Sequence, residues 1–218
     1  RMVQAFGADV TEYITINEPN VYAMLGYYFG TWPPGKKRFF KAMRVMSVLT
    51  VAHVQAYQLI HALQRGMGVQ DTRVSYALHM QVYEPQNPNK FTHRLGAYLA
   101  DRCFQGSVSK AMELGVFRWP IRNLGKIKKG LYCDFIALNY YTRATMEGFQ
   151  TGTRRGVPVS DLGWEIYPQG IVECLRKLEQ LHTLPIYVTE NGTCDNRTPS
   201  AAGICLNTCR RCASLACP

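Results

Sequence analysis

Four short, continuously apolar runs recur along this chain at intervals of roughly fifty to sixty residues, and helix-like stretches separate them. The first run, Tyr13-Ile14-Thr15-Ile16, stops at Asn17-Glu18-Pro19-Asn20, where the proline ends a ladder. The second extends from Arg73 to about Met80. The third, Asp134-Phe135-Ile136-Ala137-Leu138, ends in Asn139-Tyr140-Tyr141, and the fourth, Pro185-Ile186-Tyr187-Val188-Thr189, ends in Glu190-Asn191-Gly192. Apolar residues at helical spacing predict helices from Arg38 to about Arg65, over Phe91 to Leu114 in two pieces, and from Ile171 to Leu181. Gly/Pro-rich loops carrying Tyr27, Tyr28, Phe29, Trp32 and Trp164 fill the gaps.

Apolar strands alternating with helices predict an α/β fold, a parallel sheet covered on its outer face. Three of the four strands end in an acid or an amide, at Glu18, Asn139 and Glu190. Gathering such groups at strand C-termini is how a (β/α)₈ TIM barrel makes its site, and four units amount to half of one. The chain opens on Arg1 in place of Met, which fits a cut from something longer.

Composition narrows the class further. With 47% hydrophobic residues the 218-residue chain has enough apolar surface to order itself. No stretch approaches the length of a membrane span, and residues 1–20 lack a basic start followed by an apolar block, so no membrane partner and a cytoplasmic location are expected. The net charge of +10 favours anionic partners in principle. The basic residues lie scattered in short clusters, however, so no nucleic-acid partner is expected. Cys103, Cys133 and Cys174 lie in apolar surroundings and read as buried, reduced thiols.

A carboxylate just beyond a buried strand is most often an ion-pair or capping residue. Two of them, on separate strands and flanked by Asn, Tyr and Trp, suit glycosidic bond cleavage instead. One acid protonates the leaving oxygen while the other attacks the anomeric carbon, and aromatic faces stack on sugar rings.

At these residues the sequence resembles family 1 glycoside hydrolases, the β-glucosidase family. Thr15-Ile16-Asn17-Glu18-Pro19 is similar to the family's strand-4 motif, and Tyr187-Val188-Thr189-Glu190-Asn191-Gly192 to its strand-7 motif. Asp134 to Tyr141 looks like strand 6, and Asp161 to Pro168 like the loop that supplies a tryptophan to the leaving-group site. The resemblance implies a partial barrel, roughly units 4 to 7, over residues 1–192, and a retaining β-glycosidase acting on terminal O-linked β-D-glycosides. It implies Glu18 as acid/base, Glu190 as nucleophile, Tyr141 as the hydroxyl that binds this nucleophile, Asn17 as the amide for the sugar 2-hydroxyl, and Asn139 as an amide lining the same pocket. Trp164 becomes a stacking platform for the leaving group, or else a loop anchor. The partner is a small β-glycoside or oligosaccharide, with no cofactor and no metal. His53 and His61 read as packing or surface residues of the long helix. His79 stands at a strand end where the family usually shows asparagine. Pro19 resembles the branch that takes unphosphorylated glycosides.

Barrel strands 1 to 3 and 8, with the sugar-gripping residues they carry, have no counterpart in this sequence. The isolated chain is therefore expected to be inactive, and a catalytically silent truncated product is the alternative. Residues 193–218 differ in texture from the rest. Cys205, Cys209 and Cys212 spell C-x₃-C-x₂-C, the spacing of an iron–sulfur or zinc set. A shifted reading frame accounts better for this cysteine-rich, non-family tail, because Ala201 to Thr208, back-translated with GC-rich codons and read two bases later, can give a string like the family's next helix.

Overall fold

The computed structural model describes residues 1–181 and 183–194. Its elements run α1 (Met2–Phe6), β1 (Glu12–Asn17), α2 (Pro19–Met24) continued by a π-helical turn at Leu25–Phe29, and α3 (Phe39–Gly66). Then come β2 (Arg73–Pro85), α4 (Phe91–Asp101), a second π turn at Arg102–Gly106, and α5 (Ser107–Leu114). The rest is β3 (Ile136–Glu147), β4 (Gln150–Gly152), α6 (Gln169–Glu179) and β5 (Ile186–Asn191). The strands form one sheet in the order β1-β2-β3-β4, with β5 paired to β3. The chain divides into two compact units. Among the described residues one comprises Arg1–His79, Cys103–Ala137 and Leu184–Tyr187; the other comprises Met80–Arg102, Leu138–Thr183 and 188–194.

In the first unit β1 lies parallel to β2, with Glu12 opposite Arg73, Tyr13 opposite Val74 and Ile14 opposite Ser75. The register then shifts so that Asn17 meets Ala77, an irregularity of the kind that re-aims a strand end. Val74, Tyr76, Ala77 and Leu78 of β2 are buried, as are Ala42, Met43, Met46 and Val54 of α3. The buried stripe of α3 differs from the apolar period of its sequence. Ser47, Thr50, His53 and Gln64 face inward while Leu59 is exposed. Hydrogen bonds set this rotation. Ser47 Oγ accepts from Arg122 N–H at 3.0 Å, and Gln64 Nε2 donates to the Val10 carbonyl at 2.8 Å. Buried polar groups that find such partners are tolerated where unpaired ones are not.

In the second unit β3 continues past Tyr141 to Glu147 and turns through Gly148, at φ +62°, into antiparallel β4. Helix α4 comes so near that a Cβ on Gly96 would lie 1.7 Å from the Gly148 carbonyl oxygen. Helix α6 buries Ile171, Cys174 and Leu178 at helical spacing. Arg143 is buried between Glu165, to which it pairs, and Glu84 at 3.2 Å, with its guanidinium 3.8 Å above the Tyr167 ring. These two carboxylates are what make a buried cation supportable.

Cys103, Cys133 and Cys174 are buried and unbridged, as their surroundings predict, and burial pushes the Cys174 thiol up to about 12. The C-x₃-C-x₂-C cysteines and the rest of the tail from residue 195 lie outside the described residues.

Candidate active site

Glu18 leaves β1 at a corner. Its backbone is left-handed, φ 46° and ψ 58°, a conformation that costs a non-glycine residue on the order of 1–2 kcal/mol. Pro19 follows as the first residue of α2 and disfavours the right-handed helical region for the residue before it. The Glu18 N–H donates to the Ala77 carbonyl at 2.8 Å, so the corner is fastened to β2. Strain of this type persists where the surroundings over-determine it, and such places are typically functional. Asn17 is exposed at the last position of β1.

Two further contacts hold this strand end. Asn20, entirely buried, donates from Nδ2 to the His79 carbonyl at 2.8 Å. Thr15 Oγ1 lies 2.7 Å from His53 Nδ1, and His53 Nε2 lies 2.9 Å from the Tyr132 carbonyl. A carbonyl can only accept, so Nε2 carries the proton and Nδ1 is the acceptor. Burial holds this imidazole down at about 4, against pulls upward from the Tyr132 carbonyl and the Glu113 charge. His53 is thus a neutral core residue, in keeping with the packing role expected of it. His61 pairs with Asp134 at 2.7 Å, and Tyr57 donates to the other oxygen of that carboxylate at 2.8 Å. His79 is not at a strand end, since β2 runs on to Pro85; its Nδ1 lies 3.0 Å from Glu18 Oε1.

The second carboxylate is held differently. The last three residues of β5 each bind one of three consecutive residues of β3. Thr189 Oγ1 donates to Asn139 Oδ1 at 2.7 Å, Tyr141 Oη donates to Glu190 Oε2 at 2.6 Å, and Asn191 Nδ2 donates to the Tyr140 carbonyl at 2.7 Å. Asn139 is fully buried. Trp164, 44% exposed, meets the Tyr141 ring edge-on with centroids 6.0 Å apart. An open pocket is lined by Tyr141, Trp164, Tyr167, Asn191 and Gly192, which places it next to Glu190 in sequence although Glu190 does not line it. Tyr140 Oη donates to the Tyr167 carbonyl at 2.5 Å and so ties the Trp164 loop to β3.

The structure therefore brings Glu190, Tyr141 and Trp164 together, and sets Asn139 beside Thr189. It joins Glu18 to His79, a pairing across 61 sequence positions that the residue pattern does not announce. Asn20 and Thr189 are supporting residues missed from sequence. Both adjoin a candidate carboxylate, Glu18 or Glu190, and a short amide or hydroxyl at a strand end is the signal that marks them. Among the described residues no three His, Cys, Asp or Glu side chains converge as a metal set.

Comparison with known proteins places this geometry in a family. The profile of glycosyl hydrolase family 1 matches residues 1–204, and the chain belongs to that family. It is 30% identical over 211 residues to a beta-galactosidase of Saccharolobus solfataricus, covering 86% of this chain and 40% of that protein. To beta-glucosidase A of Thermotoga maritima it is 26% identical, covering 88% of this chain and 46% of the relative. Among solved structures, a beta-glycosidase from Pyrococcus horikoshii superposes with a TM-score of 0.73 at 28% identity, over 89% of this chain and 45% of that one. A Thermotoga maritima family 1 glycoside hydrolase complexed with a cyclophellitol analogue gives a TM-score of 0.82 at 21% identity, over 97% of this chain and 52% of that one. The fold is accordingly a fragment of a TIM barrel. The chain spans about half the length or less of the curated relatives it matches.

Proposed function

We propose that the chain contributes barrel units 4 to 7 of a retaining β-glycosidase that hydrolyses terminal O-linked β-D-glycosides. In this reading Glu190 attacks the anomeric carbon while Glu18 gives its proton to the departing glycosidic oxygen. Glu18 then takes a proton from water, and that water releases the sugar from Glu190. Tyr141 holds Glu190 Oε2, leaving Oε1 to attack. Asn17 binds the sugar 2-hydroxyl, a contact worth most in the transition state. Asn139 orders the strand end through Thr189, and Trp164 is the platform for the leaving group.

The observation that carries this is the 2.6 Å hydrogen bond from Tyr141 to Glu190, within a chain that the family profile covers almost throughout. A phenol donating to one oxygen of the carboxylate fixes where the group points, which is what a nucleophile requires.

The test is a chimera in which residues 12–192 replace the matching segment of the Saccharolobus solfataricus beta-galactosidase. Hydrolysis of an activated aryl β-glycoside with retained configuration is expected. The 218-residue chain alone should show no turnover, because it spans so little of its relatives' length. A chimera that folds, by circular dichroism and melting, yet hydrolyses nothing would sink the reading.

A further inference from the structure

The partner of Glu18 is chemically unlike the partner of Glu190. His79 Nδ1 lies 3.0 Å from Glu18 Oε1, within hydrogen-bond range. The imidazole is buried and meets Phe104 edge to face, with centroids 5.7 Å apart at 90°. Its own carbonyl is gripped by buried Asn20, while the Glu18 N–H is gripped by Ala77, two residues earlier on the same strand. The main chains of both residues and the ring of His79 are thus held by contacts outside the pair. Their juxtaposition follows from the corner at Glu18 and does not rest on two flexible side chains finding each other.

Resting on the acid/base reading above, we propose that His79 is a positioning residue for Glu18, donating from Nδ1–H to Oε1. A general acid has two oxygens and one proton, and only one oxygen can face the glycosidic bond. A donor held against Oε1 excludes the acid proton from that oxygen, since two hydrogens cannot occupy one contact. The proton therefore rides on Oε2, where transfer can occur. After transfer the same Nδ1–H still has an acceptor, because Oε1 is the carbonyl oxygen of the acid and then an oxygen of the carboxylate, and it accepts in both. Glu18 changes charge twice in each cycle without losing this hydrogen bond, so no reorganisation is required at either step. The arrangement fixes the ring's proton on Nδ1, whereas neutral histidine in water prefers Nε2.

Nitrogen-15 NMR of the labelled 218-residue chain tests this without requiring any hydrolysis, with His79→Asn identifying the signal. A proton-bearing Nδ1 is expected for His79 at neutral pH. In Glu18→Ala the proton should revert to Nε2. In Glu18→Gln, the near-isosteric variant that keeps the fold if Ala does not, the side-chain carbonyl still accepts and the proton should stay on Nδ1. A bare Nδ1 in the parent chain overturns the proposal, as does an Nδ1 proton that Glu18→Ala leaves in place. Either failure would leave the chimera's activity untouched. An inactive chimera with a protonated Nδ1 would instead reject the glycosidase reading alone.

Discussion

The two carboxylates are supported by contrasting means. Around Glu190, three consecutive residues of β5 are laced to three of β3, and its partner Tyr141 is a phenol that donates. Around Glu18 the backbone is strained, the strand register shifts, and the partner His79 is an imidazole. The difference matches the work each performs in the proposed cycle. A nucleophile must stay ionised and aimed, so a fixed neutral donor suits it. An acid/base must give and regain a proton, so its support has to serve both charge states.

That contrast can be broken most violently at the carboxylates themselves. In the chimera, Glu190→Ala should lower turnover of every substrate on the order of 10⁶-fold, the scale for deleting a nucleophile. Glu18→Ala should cost about 10²–10⁴-fold with alkyl β-glycosides and much less with activated aryl ones, which need little protonation. Equal losses across leaving groups for both variants would erase the distinction. Stability offers the next lever. Unfolded His53 takes up a proton near its ordinary 6.5, but the folded chain holds it down at about 4. Between those values the unfolded state binds more protons, so folding stability is complete above pH 6.5 and falls as pH drops towards 4, by up to about 3 kcal/mol. Denaturant midpoints of the 218-residue chain across that range should show the slope, and His53→Gln should flatten it. The smallest effect is expected from Tyr141→Phe. Loss of one hydrogen bond to a charged group should raise the barrier in the chimera by about 1.5–3 kcal/mol, with little change in melting temperature.

The two candidate carboxylate motifs were legible because they are local. A β-branched run that halts at Asn17-Glu18-Pro19, and another that halts at Glu190-Asn191-Gly192, announce strand ends and carboxylates together. What escaped depends on contacts far apart in sequence. Nothing near Tyr141 signals that β3 continues to Glu147, because the glycines that follow read as loop when one of them is the turn of an antiparallel hairpin. Likewise β2 outruns its apolar stretch to Pro85, carrying His79 into the strand interior. The five-residue helix Met2–Phe6 is too short for any periodicity to reveal. Helix α3 was placed correctly in sequence, but its inward face was not. Apolar spacing cannot foresee that Ser47, His53 and Gln64 will each find a hydrogen-bond partner on another element.

The lacing of β5 onto β3 also acts as proofreading during assembly. In a strand pair, slipping by one residue turns every side chain to the opposite face, and apolar strands such as these carry little information to prevent it. Here Thr189, Glu190 and Asn191 each have a different complement on β3: an amide oxygen, a phenol and a main-chain carbonyl. A slip in either direction would misalign all three at once and leave polar groups without acceptors or donors. The residues that hold Glu190 therefore also spell the one alignment in which the strand can be read.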